Sequence, residues 1–310
     1  MILAGAVVVW TMLPTAHAQD VEGQPRAFLA GQYDLEALEE IILPRTDWHP
    51  FPDIDEPEAW RALPAAVRNA HIAQGEAALG AEWDPLPATV VLEYVRTGNR
   101  SNFESLSFGR RKQLAHLVVA EVMEGQGRFV DDIVNGIWTI CEETYWGVPA
   151  HLWAQRAGSG LPDVSEPTVD LFAAETGSLL AWTLYLLGDR LDKISPLIRE
   201  RIHLEVDERI LTPNLERDDF WWMGFGSDII NNWNPWINSN WLTAVLLLER
   251  DEDRRLESIH KIMRSLDRLI ESYPADGGSD EGPGYWSRAA GSLLDALDLL
   301  HGASNGTIDL

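Results

Sequence analysis

Apolar residues recur along most of this chain at the three- and four-residue spacing of an amphipathic helix, and strict alternation is rare. Residues 58–79 form an Ala-rich helical pattern, 89–97 a shorter one, and 108–123 another that Gly125 and Gly127 should end. Residues 128–145 are predicted to be a long amphipathic helix with Val130, Ile133, Val134, Ile137, Trp138 and Cys141 on one stripe. A Pro/Gly/Ser-rich interval fills 158–167. Helix resumes over 168–187, is expected to stop at Gly188, and continues over 189–211 with Pro196 tolerated in its first turns. Residues 241–249, 253–273 and 286–301 complete the series. The pattern predicts nine or ten helices joined by short loops, an all-α array of helical hairpins arranged as a solenoid or a closed α/α toroid.

The beginning of the chain reads differently. Residues 2–13 are almost wholly apolar, Pro14 breaks the run, and Ala16-His17-Ala18 offers small residues at the spacing of a cleavage site. Residues 1–18 are therefore read as a secretory signal peptide, too short for a comfortable transmembrane helix. The expectation is a periplasmic or secreted protein, with no stable membrane insertion after cleavage. Residues 19–55, with Pro44, Pro50 and Pro52, are expected to form an irregular lead-in. Residues 56–310 are read as one helical domain.

The net charge of −25 opposes nucleic-acid binding, which needs clustered Lys and Arg. It also makes long-range attraction of a polyanion unfavourable, so an acidic ligand must be held by local groups. Cys141 is the single cysteine, which leaves no intrachain disulfide. The 14 Trp outnumber 8 Phe and 6 Tyr, and those tryptophans beside polar clusters are candidate stacking platforms.

Three segments carry candidate chemistry. The first is Asn231-Asn232-Trp233-Asn234-Pro235-Trp236-Ile237-Asn238-Ser239-Asn240-Trp241. Asparagine weakens helix interiors, and Pro235 adds a break, so the run is expected to be a loop at the N-terminus of a helix that begins at Trp241. Amides and indoles crowded together suit sugar binding, and a helix N-terminus favours anions. The second is Asp276-Gly277-Gly278-Ser279-Asp280-Glu281-Gly282-Pro283-Gly284-Tyr285-Trp286, where Tyr285 is a candidate proton-transfer group and Glu281 a ligand or support. The third runs from Cys141 to His151. There Glu142 and Glu143 are adjacent and cannot both face one point, while Tyr145, Trp146 and His151 suit a cleft wall.

At these three segments the chain resembles the heparinase II/III-like polysaccharide lyases, over roughly residues 48–310; the loop ending Gly-Pro-Gly-Tyr-Trp286 is the most specific part. The resemblance implies an N-terminal α/α toroid followed by a C-terminal β-sandwich domain. Nothing in this sequence corresponds to the latter, so the chain is expected to hold an incomplete toroid. The resemblance further implies cleavage of an acidic, uronate-containing polysaccharide or oligosaccharide by β-elimination. In it Asn231 or Asn232 neutralises the uronate carboxylate, with Asn232 slightly favoured, and Tyr285 acts as base, acid or both. Asn234, Trp233, Trp236, Glu281, Trp286, Tyr145, Trp146 and His151 are the expected substrate-binding residues. No cofactor is expected in this chain; the family's partner histidine, and the metal site of some members, belong to the C-terminal half. The chain alone is expected to bind sugar weakly and to lack full lyase activity. Few basic residues near the motifs disfavour a highly sulfated substrate. A glycoside hydrolase using two carboxylates among Glu142, Asp280 and Glu281, and a non-catalytic carbohydrate-binding protein, are the alternative readings.

Overall fold

The computed structural model describes residues 28–226, 230–274, 276–278 and 282–310; the signal segment, Asp280 and Glu281 lie outside the described residues. Every regular element among the described residues is helical, and none is a strand. Thirteen α-helical segments follow in order: α1 Leu35–Ile41, α2 Pro57–Ala62, α3 Ala65–Ala78, α4 Ala88–Val91, α5 Glu93–Thr97, α6 Ser101–Glu124, α7 Val130–Cys141, α8 Leu171–Ile194, α9 Pro196–Val206, α10 Thr212–Glu216, α11 Trp233–Leu248, α12 Glu252–Ser272 and α13 Trp286–Ala303. Single 3-10 turns occupy Pro149–Ala154, Trp221–Met223 and Pro283–Tyr285, and a π turn joins α9 to α10 at Asp207–Leu211.

The differences from the expected pattern trace to local chemistry. The lead-in is not wholly irregular, because Asp34 caps α1 by accepting from the Ala37 N–H at 2.9 Å. The helix expected over 58–79 is two helices, since Pro64 forces Leu63 into extended backbone at ψ 149°. Gly125, at φ +74°, ends α6 in the left-handed conformation that glycine adopts cheaply, as expected. Gly188, however, does not stop its helix. It is buried within α8, where a Cβ would meet the Arg199 guanidinium at 2.6 Å, so its small size serves packing. The break comes instead at Ser195, whose side chain accepts from the Leu197 N–H ahead of Pro196 at the first position of α9.

The largest correction concerns the asparagine run. α11 begins at Trp233, eight residues before the expected start at Trp241, and absorbs Asn234, Asn238 and Asn240. Pro235 falls in the first turn, where the missing N–H costs no helical hydrogen bond. The amides are spent on packing. Asn234 donates through Nδ2 to the Trp222 carbonyl and to the Ser265 carbonyl and hydroxyl, each at 3.0 Å. Asn238 donates to the same Ser265 hydroxyl at 2.8 Å, which pins α11 to α12. Tertiary partners thus override weak propensity.

The main core cluster runs from Leu29 to Ile308, with α11 buried almost throughout, and a smaller one gathers Phe103, Val148 and Ala150. α11 packs against α8, α12 and α13, and α8 packs against α6 and α9. On the predicted α7 stripe, Val130, Ile133, Ile137 and Cys141 are buried, while Trp138 remains 41% exposed beneath the Arg201 guanidinium. Burial raises the Cys141 thiol pKa to about 12, so this cysteine is an inert core residue.

Candidate functional site

Three helices present their N-terminal turns to one another. Phe172 and Glu175 in the first turns of α8, Trp236 in the first turn of α11, and Arg288 in the first turn of α13 are in mutual contact. Phe172 meets Trp236 edge-on at 5.9 Å between ring centroids. The Trp236 Nε1–H donates to Glu175 Oε1 at 2.8 Å. The Arg288 guanidinium lies 4.2 Å from the Trp236 ring centroid and 3.5 Å from Glu175. Burial raises the Glu175 carboxyl pKa, while the hydrogen bond from Trp236 and the Arg288 charge oppose that rise.

From Phe172 an aromatic arc continues in the other direction. His151 stacks on Phe172 at 5.8 Å with an 8° interplanar angle and lies 4.5 Å from Trp233. Trp233 in turn meets Trp221 at 5.0 Å and Trp153 at 6.3 Å. Trp153 is 52% exposed, so the arc ends in solvent. An indole face of this kind can stack on the apolar face of a pyranose ring.

Asp170 organises the arc from below. It is fully buried and N-caps α8, with Oδ1 accepting from the Phe172 and Ala173 N–H groups at 3.0 and 2.8 Å. Its Oδ2 accepts from the Val148 N–H at 3.1 Å and lies 2.7 Å from His151 Nδ1. A carboxylate only accepts, so His151 Nδ1–H is the donor of this contact. Tyr145 packs beside this pair. Its hydroxyl is buried without a hydrogen-bond partner, and burial, then the Asp170 charge, raise its pKa well above the usual tyrosine value. The close fit depends on Gly147, where a Cβ would meet the Tyr145 hydroxyl at 2.3 Å and the Asp170 carboxyl carbon at 2.6 Å.

The predicted site residues therefore separate. Tyr145, His151 and Trp233 form one cluster, and Phe172 links it to Trp236. Asn231 and Asn232 stand at the entrance to α11: Asn231 Oδ1 accepts from the Trp233 N–H at 3.0 Å, and Asn232, which is buried, occupies the N-cap position. Tyr285 is exposed in the turn leading into α13. Trp286 is also exposed, with Nε1–H donating to the Gly277 carbonyl at 2.9 Å. Asn234 sits apart from any cleft, fully buried between α11 and α12. Trp146 borders a cavity together with residues 141–145 and is held beneath the Arg209 guanidinium, with Nε1–H donating to the Ile140 carbonyl. Glu281 lies outside the described residues. Of the adjacent carboxylates, Glu142 is exposed, whereas Glu143 is buried between Arg110 and Arg111 at 2.8 and 2.6 Å.

Asp170, Glu175, Arg288, Trp153 and Trp221 were not predicted. Asp170 had a legible signal, an Asp immediately before an apolar helical run. The others needed the three-dimensional contact of distant helix ends. A larger cavity of about 750 Å³ lies against residues 141–146 and 162–168. Its arginines are already engaged: Arg201 and Arg209 hold Glu205 and the Cys141 carbonyl, and Arg209 also holds the Glu143 carbonyl. No protein-family profile matches this chain, and no curated protein matches its sequence.

Proposed function

We propose that this chain is the helical part of a secreted or periplasmic polysaccharide lyase that cleaves uronate-containing chains by β-elimination, and that its helices belong to an α/α toroid. The observation that most supports this reading is the convergence of the first turns of α8, α11 and α13. It gathers Asn231, Asn232, Trp236, Arg288 and Tyr285 onto the N-terminal ends of neighbouring helices. Glu175, Trp236 and Arg288 meet at the first turns of these helices, and Trp182, Thr243 and Asp295 line a common groove farther along them. α9 packs against α8 and α12 against α11, pairings that suit the helical hairpins of the proposed toroid.

The chemistry follows from the residue types. Elimination removes the proton on the carbon beside the uronate carboxylate; that carbon–hydrogen pair becomes the new carbon–carbon double bond as the glycosidic oxygen leaves and is protonated. The carbon is acidic only when the carboxylate charge is offset. Asn231 and Asn232 supply amides at the entrance to α11, where the helix dipole adds positive potential. Tyr285, exposed in the turn before α13, is the proton-transfer group. The arc of Trp153, Trp221 and Trp233 carries neighbouring sugars. The apolar segment 2–13 and Ala16-His17-Ala18 support export of the chain.

Replacing each asparagine separately tests the assignment. Asn232→Ala is expected to lower turnover of a uronate polymer about 10²-fold or more, the scale of losing one preorganised donor at a developing charge. Asn231→Ala, which also removes the acceptor of the Trp233 N–H, is measured beside it. Turnover unchanged in both variants would remove the asparagines from the mechanism.

A further inference from the structure

Four large apolar side chains stand exposed on α7, α8 and α9. Leu197 and Leu204 are 66% and 51% exposed on α9, Ile194 is 50% exposed at the end of α8, and Trp138 is the exposed member of the α7 stripe. Leu197, Arg201 and Leu204 recur at i, i+4 and i+7, which places them on one face of α9. Arg201 joins that face to α7, its guanidinium lying 5.3 Å from the Trp138 ring centroid. Apolar side chains gathered on neighbouring helices, rather than scattered singly, mark an interaction site.

This face continues into the cavity of about 750 Å³ against residues 141–146 and 162–168, because Arg201, Glu142 and Glu208 line that cavity. Glu142 caps the end of α7 one turn after Trp138, and Glu208 follows Leu204 at the same interval, in the π turn after α9. Val164, 74% exposed, adds an apolar side chain to the same cavity. The free charges around this surface are unequal. Asp131, Glu142 and Glu208 are exposed and make no side-chain hydrogen bond or ion pair with a described residue, and Lys193, next to Ile194, opposes them. Arg201 spends Nε on Glu205 at 2.7 Å and Nη2 on the Cys141 carbonyl at 3.0 Å, and Arg209 holds the same two groups. The charge left for a partner is therefore net negative, in keeping with the −25 of the whole chain.

We infer that this surface docks an amphipathic helix of another protein, one whose apolar stripe is flanked by Lys and Arg. The ridge of Leu197, Arg201 and Leu204 beside Trp138 and the open cavity suits helix-in-groove recognition, in which apolar anchors at helical spacing seat against the exposed leucines. Basic residues beside those anchors complement Glu142 and Glu208. A second copy of this chain brings the same carboxylates and the same net charge to the contact, which opposes self-association. An anionic lipid surface meets the same repulsion. The surface carries none of the residues assigned to uronate turnover, so it stands or falls apart from the lyase reading.

Fluorescence anisotropy on the full chain tests it. The probe is a labelled synthetic peptide of leucine and lysine with its leucines at i, i+3, i+4 and i+7. The controls are an alanine–lysine peptide of equal charge and a leucine–glutamate peptide of equal pattern. The leucine–lysine peptide is expected to bind, and each control at least about tenfold more weakly. The double variant Leu197→Ser, Leu204→Ser alters only exposed side chains and should weaken the leucine–lysine peptide about tenfold or more, since two apolar anchors are lost. Glu142→Gln with Glu208→Gln should weaken it as well and reduce its salt dependence. Thermal melting of each variant is expected to match that of the parent chain. Equal binding of the alanine–lysine peptide would reduce the contact to bulk charge attraction and overturn the inference, as would binding indifferent to both double variants. A dimer in sedimentation that the leucine pair dissolves would assign the face to a second copy. Binding to phosphatidylserine vesicles that the same pair abolishes would assign it to a membrane. Either result overturns the inference.

Discussion

Replacing Asp170 with alanine should be among the most damaging single changes in this chain, and its cost can be worked from four contacts. Asp170 is fully buried, so its carboxylate oxygens are closed to water. Loss of the cap to the Phe172 and Ala173 N–H groups removes about 1 kcal/mol, with a range of about 0.5–2 kcal/mol for N-caps. The Val148 N–H, bonded at 3.1 Å, becomes a buried orphan donor at a cost of about 1–3 kcal/mol. His151 loses its 2.7 Å contact, but it is only partly buried and water can compensate in part. The sum is about 1.5–5 kcal/mol, a large share of the 5–15 kcal/mol typical of a folded domain. Asp170→Asn keeps one acceptor oxygen and should cost less, although its amide then stands donor against donor with both Val148 and His151, or, flipped, with the Phe172 and Ala173 N–H groups. Urea denaturation followed by circular dichroism, comparing midpoints at equal slope, measures both. A loss below about 1 kcal/mol for the alanine variant would refute the reasoning, because a cap alone accounts for that much. It would mean that Asp170 is not the organising residue of the arc.

Three further outcomes follow from packing and charge. Gly75→Ala should destabilise by about 1–3 kcal/mol, because its Cβ would lie 2.2 Å from Ala120 Cβ in a rigid helix contact; Gly188→Ala meets only the movable end of Arg199 and should be neutral or slightly stabilising in the same urea assay. His203 is pushed down to about 4 from 6.5, first by burial and then by Arg250, so it folds as the neutral form; as pH falls from 6.5 towards 4 the unfolded chain binds the extra proton, stability declines, and His203→Gln should flatten that part of a thermal-melting profile. Arg255 is fully buried with only Nη1 paired, to Glu252 at 2.7 Å, while Nε and Nη2 lack partners; Arg255→Met should be neutral or stabilising by about 1–2 kcal/mol in chemical denaturation, whereas a clear loss would show that the guanidinium is better satisfied than its contacts indicate.

The sequence was most legible where periodicity and punctuation agreed. The all-helical class, the α7 stripe and the end of α6 at Gly125 all came from local chemistry that tertiary contacts did not override. It was least legible where polar residues serve packing. Asn234 and Asn238 look like loop or ligand residues in one dimension, yet Ser265, some thirty positions away, makes them part of a helix interface. Gly188 looks like a helix stop until the Arg199 guanidinium is seen against it. At the candidate site, the aromatic and amide character of Trp233, Trp236 and Asn231 could be read directly. The pairing of His151 with Asp170, and of Trp236 with Glu175 and Arg288, could not, because those partners lie 19, 61 and 52 positions away along the chain.

The measurement that bears most directly on the central claim is ultraviolet absorbance of the conjugated double bond while the gene product extended to its natural stop, and the same protein carrying Tyr285→Phe, are incubated with a panel of uronate polymers. A rise with the natural residue that falls about 10²-fold or more on losing the phenol hydroxyl is the expected result, since a positioned proton-transfer group contributes about 10²–10⁴-fold. New reducing ends without absorbance, or absorbance unchanged in Tyr285→Phe, would contradict the account.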